Sequence, residues 1–593
     1  MNTALKTIEH HADVCVVGGG LAGLCAAVSA ARHGASVLIM QDRPMFGGNA
    51  SSEIRMWVCG AHGENNRETG LVEEIMLESF YRNPYSNYSI WDSILFEKVR
   101  FQEGLDYLLN CSCLDAEMEQ NRIVAVTGWQ LTTQTFHRVA AKIFIDCSGD
   151  SILAPLTGAR FRVGRESRNE FDEDIAPEQA DRKTMGMSCL IQAREHAAKR
   201  RYTPPFWAEP FNKEKLPYRR PNPTEQNENY WYLELGGDRD SIADTEAVRD
   251  ELQNVAYGIW DYVKNSGDYG PEVDNLDLDW IGILPGKRES RRYVGDYIMN
   301  QHDVRSEGRF KDLVAYGGWT MDDHHPGGLR TPEKPTLFHA APSPFGIPYR
   351  SLYSANIDNL LFAGRNISVT HSALSATRVM ATCGTLGQAA GTAAALAIQE
   401  QTSPRGVYEK HLDTLQVWLM DDDSYLPFQQ RPVPKLTLQA KLEADGQDSE
   451  NLRNGYDRPI STADNGWRGK PGDAVTYHLA EPACVKKARL VLDSDLNRRT
   501  LPEETRYNRP QRSNYFLNNK PMCVPQTMLR DFRIDVRTVD DQWETFQFVQ
   551  NNYQRLVQID LSAAGPVSAV RFVPLTTWGS ADCHVFSFDL TEA

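Results

Sequence analysis

The chain has 593 residues, 41% hydrophobic and 24% charged, with a formal net charge of −16. These proportions are ordinary for a folded protein of about three domains with a substantial buried core. The acidic balance argues against nucleic acid or an anionic membrane surface as partner, and every long apolar run is interrupted by Gly, Ser or Thr before it could span a bilayer. The opening MNTALKTIEHHA lacks the apolar core of a secretory signal, so the expected location is cytoplasmic.

The first predicted element is an apolar strand at residues 13–17, which runs into Gly18-Gly19-Gly20-Leu21-Ala22-Gly23. An Ala-rich helix, Gly34 and a second apolar strand at 36–40 follow. This is the setting in which G-x-G-x-x-G holds a dinucleotide. Gly18 permits the tight turn, Gly20 lets a pyrophosphate approach the backbone, and Gly23 lets the helix pack closely. The helix amino terminus then presents free N–H groups and the positive dipole end to the phosphates. A plain glycine-rich turn is the bland alternative, and the completeness of the unit weighs against it. The ribose-binding acid belongs at the end of the second strand, where this chain has Gln41 followed by Asp42.

Helices are expected near 69–82 and 91–103, then short strands across 105–146. Cys15, Cys25 and Cys147 fall at packing positions, as suits a reducing compartment. Cys111 and Cys113 form a C-x-C, but no second Cys/His pair follows at metal spacing; alternation on a strand is the better reading, and no metal is expected. Further on, a strand over 186–195 and a helix over 244–266 are expected in a stretch rich in Tyr, Trp, Pro and charge.

Three more segments extend the dinucleotide reading: Arg43-Pro44-Met45-Phe46-Gly47-Gly48-Asn49-Ala50-Ser51-Ser52, the strand end KIFIDCSGD closing at Asp150, and NLLFAGRNISVTHSALSATRVMATCGTLGQAAGTAAALA after residue 358. With these motifs the chain resembles the FAD-dependent oxidoreductases of the glutathione-reductase and fumarate-reductase type. More narrowly it is similar to a bacterial flavoprotein family carrying GGNASSEIR, Asp-x-Ser/Thr-Gly-Asp and AGRNIS…RVMATC…GQAAGTAAA. Four motifs in the right order cover roughly residues 10 to 400. The resemblance implies an α/β fold: a Rossmann-like FAD-binding domain (1–160 and 356–430) interrupted by an α+β substrate domain (161–355). It implies that Gly47, Gly48, Asn49, Ser51 and Ser52 lie beside flavin and pyrophosphate, and that Ser148, Gly149 and Asp150 close over the cofactor. Gly364 and Arg365 belong to the same set. It also places a helix start at Gly387, Gln388 and Gly391 pointing at the flavin ring, where its dipole would favour a reduced flavin.

The catalytic candidates follow from that placement. Oxidising an alcohol needs a base for the hydroxyl proton while hydride goes to flavin N5. His371, between two cofactor segments, is the first candidate; the bland reading is a histidine that only hydrogen-bonds flavin or backbone. Arg378 is a candidate for an anionic substrate group or for orienting the flavin. Glu53, Arg55, Cys59 and His62 follow the flavin turn, and the flavin is expected to be noncovalent. In LPGKRESRRYVGDY, Arg288, Arg291 and Arg292 are candidates to face pyrophosphate, substrate or one another. In VAYGGWTMDDHHPGG, Trp319, Asp322, Asp323, His324 and His325 supply the aromatic platform with carboxylate and imidazole that sugar recognition requires. Tyr349 and Arg350 are expected at the substrate mouth. Ordinary surface polarity is the alternative for each loop.

A Pro-containing linker at 426–434 ends the catalytic part, and from 435 to 593 the pattern becomes period-two: AVTYHL, ARLVLDS, FRIDVRTV, ETFQFVQ, RLVQIDL, AVRFVPL and HVFSFDL. This reads as a β-sandwich, similar to discoidin-like and galactose-binding jelly rolls, with Trp467 early and Trp578 late. A structural appendage weighs slightly more than a glycan-binding module. No second G-x-G-x-x-G and no C-x₄-C beside the flavin turn occur, so a separate diffusible electron acceptor is expected; homo-oligomerisation stays open. Three readings follow. The first is an oxidoreductase acting on a carbinol of a sugar or glycoside. The second is a flavin-dependent reductase or dehydrogenase of a C–C bond in a carboxylate, using Arg288, Arg350 and Arg378. The third is a carbohydrate-binding protein with a non-catalytic flavin fold.

Overall fold

The apolar run near the start forms β1 (Thr7–Val17), which extends earlier than residue 13 because residues 7–12 already pair with β6 (Thr135–Asp146). α1 (Leu21–Arg32) and β2 (Val37–Met40) complete the first unit of strand, helix and strand. The computed structural model describes residues 5–502 and 512–592, and the chain divides into two compact units.

The first unit comprises the described parts of Met1–His62, Tyr85–Gln416 and Arg509–Lys520. Its main sheet runs β3-β2-β1-β6-β5-β4, with β3 (Leu105–Leu108), β4 (Cys111–Glu119) and β5 (Arg122–Gln130). β3, β2, β1 and β6 are mutually parallel, and Leu360–Phe362 joins β6 in parallel from far along the chain. β4 and β5 fold back antiparallel onto β6. Val14 to Val17 and all of β2 are buried, which explains their unbroken apolar character: a parallel sheet is covered on both faces.

α1 is buried along nearly its whole length because Met380–Gln399 lies against it. The contact depends on missing side chains. A Cβ on Gly387 would fall 2.0 Å from the Ala22 carbonyl oxygen, and one on Gly391 would fall 2.1 Å from that of Ala26. Ser29 and Thr392 join their hydroxyls across the same seam at 2.7 Å.

Between these cofactor-side segments, Thr245–Asn265 packs Leu252, Ile259 and Trp260 into a local core. The strand expected over 186–195 is two short strands, Met187–Ser188 and Ile191–Glu195, because each pairs with a different partner: the first with Gly286–Lys287, the second with Leu276–Ile281. Hairpin strands Met321–His324 and Thr336–His339 pair antiparallel.

The second unit comprises the described parts of Gly63–Pro84, Val417–Asn508 and Pro521–Ala593. It is an antiparallel β-sandwich. AVTYHL and ARLVLDS form one strand, Val475–Leu492, which pairs with Pro566–Thr577 at its start and with Cys583–Glu592 at its end, passing from one layer to the other. The expected boundary shifts here. α2 (Leu71–Arg82), read from sequence as part of the cofactor domain, belongs to the sandwich unit, with Leu77 and Phe80 inside its core. Buried Glu73 on α2 meets Arg498 at 2.5 Å. The next helix, α3 (Tyr88–Arg100), returns to the first unit. Trp467 is wholly buried, and Trp578 donates to the Asn552 carbonyl and packs edge-on against Tyr81. Neither tryptophan is a free sugar platform.

Among the described residues no disulfide joins the eleven cysteines, and Cys111 and Cys113 alternate on β4. Among the described residues, no helix is long and apolar enough to cross a membrane.

Candidate active site

A cavity of about 660 Å³ opens in the first unit where the carboxyl ends of β1, β2, β6 and Leu360–Phe362 converge. This is the place where open α/β sheets bind ligands. Gly18, Gly20, Leu21 and Ala22 line it from the first turn, and Asp42, Arg43, Gly47, Gly48 and Asn49 from the segment after β2. Ser148, Gly149 and Asp150 contribute the end of β6, and Gly364 and Arg365 the end of the late strand. Gly18 has φ +100°, and a Cβ there would lie 2.5 Å from the Cys147 carbonyl carbon. Gly23 is off the wall and serves packing: its Cβ would fall 1.8 Å from the Gly18 carbonyl oxygen.

Several expected cofactor residues do other work. Gln41 touches the cavity, but its side-chain oxygen accepts the Gly19 N–H at 2.6 Å and its amide donates to the Met45 carbonyl. The amide is spent on fixing the turn, which leaves exposed Asp42 for hydroxyls. Ser51 donates to the Gly48 carbonyl, and Ser52 to the Met45 sulfur, so both shape the glycine turn from behind. The helix carrying Gly387, Gln388 and Gly391 begins at Met380, not at Gly387; these three are mid-helix and buried, and Val379, Met380 and Cys383 meet the cavity instead.

Asp150 accepts from Lys287 (2.7 Å), Arg365 (2.6 Å) and Ser290 (2.8 Å). Burial alone would raise its pKa, but Arg365 and Lys287 hold it well below the usual carboxylate range.

At the other end the wall is Trp57, Cys59, Trp231, Arg288, Trp319, Asp322, His324, Phe338 and Arg378. His324 Nδ1 lies 3.0 Å from both oxygens of buried Glu234, and Nε2 lies 3.3 Å from Asp322 Oδ2. Arg288 pairs with Glu234 at 2.9 Å, and Arg378 with Asp322 at 3.2 Å. Thr336 also donates to Asp322. Burial opposes ionisation of Asp322 and Glu234, yet His324 with Arg378 and Arg288 with His324, respectively, pull both below their ordinary pKa.

His371 is elsewhere. It is buried off the cavity wall, with Nδ1 2.8 Å from Glu289 and Nε2 3.1 Å from Asp323. Desolvation alone would lower its pKa, but the two carboxylates raise it to about 10. Both nitrogens hold protons at neutral pH, so the base role assigned to it from sequence is withdrawn. Tyr349 is also displaced: fully buried, it donates to the Pro404 carbonyl. Arg350 pairs with Asp312 at 2.9 Å and stacks on Tyr297 and Tyr408, off the cavity wall. Arg292 is buried between Glu166 and Glu289, and Arg291 lies over Phe161. Arg55 stacks on Trp280 at 4.3 Å. His62 meets the Trp319 ring edge at 4.3 Å.

Trp57, Trp231, Glu234, Phe338 and Cys383 escaped the sequence reading. Glu234 and Trp231 sit in NYWYLELGG, a stretch without helix or strand periodicity. The signal that could have found Glu234 is charge balance, since Arg288 and His324 both need a buried acid.

A family model described as FAD dependent oxidoreductase matches residues 13–419, and the chain belongs to that family. It is an FAD-dependent oxidoreductase. A soluble pyridine nucleotide transhydrogenase of Marinobacter nauticus is 49% identical over 43 residues, covering 7% of this chain and only 9% of that protein. Among solved structures, L-proline dehydrogenase from P. horikoshii shares 16% identity over 25% of this chain and 24% of that one, with a TM-score of 0.16. The family 32 carbohydrate-binding module of Streptococcus pneumoniae EndoD shares 14% identity over 26% of this chain and 98% of that one, with a TM-score of 0.19.

The cavity fits FAD. Gly20 leaves its phosphate face open, with no atom closer than 3.9 Å to a Cβ built there, and the α1 amino terminus carries no side-chain cap. Arg43 Nη1 and Arg378 Nε, one toward each end, are buried donors without a partner.

Proposed function

We propose that the enzyme oxidises a carbinol of a sugar or glycoside. FAD, when bound, supplies the two-electron acceptor for the hydride. Gly18 to Ala22 and the α1 amino terminus would hold its phosphates, Asp42 its ribose, and the Gly47–Gly48 turn with Arg365 its remaining contacts.

The observation that carries this reading is the charge balance of the substrate end. Arg288 is matched by Glu234 and Arg378 by Asp322, so neither brings an unbalanced charge for a carboxylate, and Arg378 keeps only its Nε–H to offer a ligand. Arg350, the third cation the C–C reductase reading needs, is committed to Asp312. What remains for a ligand is an acid, an imidazole and indole faces, which suit hydroxyls and sugar C–H surfaces.

The Asp322–His324 pair takes the hydroxyl proton. The ring is held with Nδ1 on Glu234 and Nε2 toward Asp322, so carboxylate and imidazole face the substrate together. A hydroxyl between Nε2 and Asp322 is oriented by both. Arg378 Nε is left to donate to the oxygen as it becomes a carbonyl. Trp231, packed on His324 at 5.3 Å between ring centroids, limits water around the imidazole.

The test is anaerobic mixing of the FAD-loaded enzyme with glycosides and with dicarboxylates. Flavin bleaching by glycosides supports the reading; bleaching by dicarboxylates alone overturns it.

A further inference from the structure

Phe338 is 62% exposed and also lines the cavity, which puts an apolar ring at its rim. Its position is set by register. Met321–His324 and Thr336–His339 pair antiparallel with Asp322 directly opposite Phe338, and opposed residues project to the same face. Trp319 flanks the same acid from the other side, its indole N–H 3.5 Å from Asp322 Oδ2. The carboxylate that would bind a sugar hydroxyl thus sits between a half-buried indole and an exposed phenyl ring at the rim.

Resting on the glycoside reading above, we propose that Phe338, with Trp319, is a specificity-determining residue that selects glycosides bearing an apolar aglycone over free sugars. A free monosaccharide engaging Asp322, His324 and Trp319 leaves the Phe338 ring in water. A substrate whose anomeric oxygen carries an aryl or alkyl group covers it, removing apolar surface from water and adding an aromatic contact. The paired charges around Asp322 argue that the extra group is neutral.

The test uses the FAD-loaded full chain with methyl and 4-nitrophenyl β-glycosides of glucose, galactose and mannose. Wild type is expected to reduce its flavin with a higher rate constant over KM for the nitrophenyl member of the accepted pair. In Phe338→Ala that preference falls about tenfold, the order expected for a lost apolar contact, while Phe338→Tyr retains it. Quenching of tryptophan fluorescence by the nitrophenyl glycoside should weaken in parallel. Equal use of the two aglycones by wild type, or an unchanged preference in Phe338→Ala, overturns the proposal and leaves the glycoside reading intact. If no glycoside reduces the flavin, both fall. A change in mass on size exclusion for Phe338→Ala would reassign the ring to contact between copies of this chain.

Discussion

At neutral pH His371 carries its proton, because Glu289 and Asp323 hold both ring nitrogens. Its folded pKa of about 10 lies above the unfolded value of about 6.5, so its stabilising charge is fully present below pH ~6.5 and is lost as pH rises through ~10. Thermal unfolding of wild type and His371→Gln should therefore differ most at about pH 6.5 and converge toward pH 10. A gap that stays constant with pH contradicts the assignment. His324 lies on the cavity wall instead, its ring held between Glu234 and Asp322. His324→Gln should keep FAD yet slow flavin reduction by roughly 10²–10⁴, the usual worth of a general base; a wild-type rate constant would remove it from the mechanism. Both histidines were legible as candidates in the sequence, but not their roles. Those depend on Glu289, Glu234 and Asp323, acids that packing brings together from distant segments.

Among the elements, the one most exposed to a small change is the seam between α1 and Met380–Gln399. Gly387→Ala places a methyl 2.0 Å from the Ala22 carbonyl oxygen, one residue from the cofactor turn. Overpacking of this kind costs about 1–3 kcal/mol, measurable by denaturant unfolding, and FAD content should fall with it. Unchanged stability would mean the helices separate at no cost. The βαβ unit was readable because local signals agree: strand, glycine turn, helix and strand follow in one short stretch. The start of the later helix was misplaced because its Gly, Ala and Thr residues carry little amphipathic pattern, and Gly387 looks like a terminus when it is a packing notch. The pair of strands within 186–195 was hidden for another reason: their partners lie some ninety residues on, beyond any local window.

For the whole molecule, the period-two runs revealed a sandwich in the sequence but could not show that α2 belongs with it. Leu77 and Phe80 look like any amphipathic face until the core that receives them is known. A chain cut at the expected linker, residues 1–434, should consequently lose solubility. It strands those side chains in water as an unpartnered apolar face. A soluble, FAD-loaded 1–434 fragment on size exclusion would contradict this division.

The most direct test of the account is anaerobic stopped-flow of the yellow enzyme against a neutral glycoside, wild type beside His324→Gln. The account predicts that wild-type flavin bleaches and that the variant stays yellow with its FAD still bound. Bleaching by a dicarboxylate but by no glycoside, or equal bleaching in the variant, would contradict it.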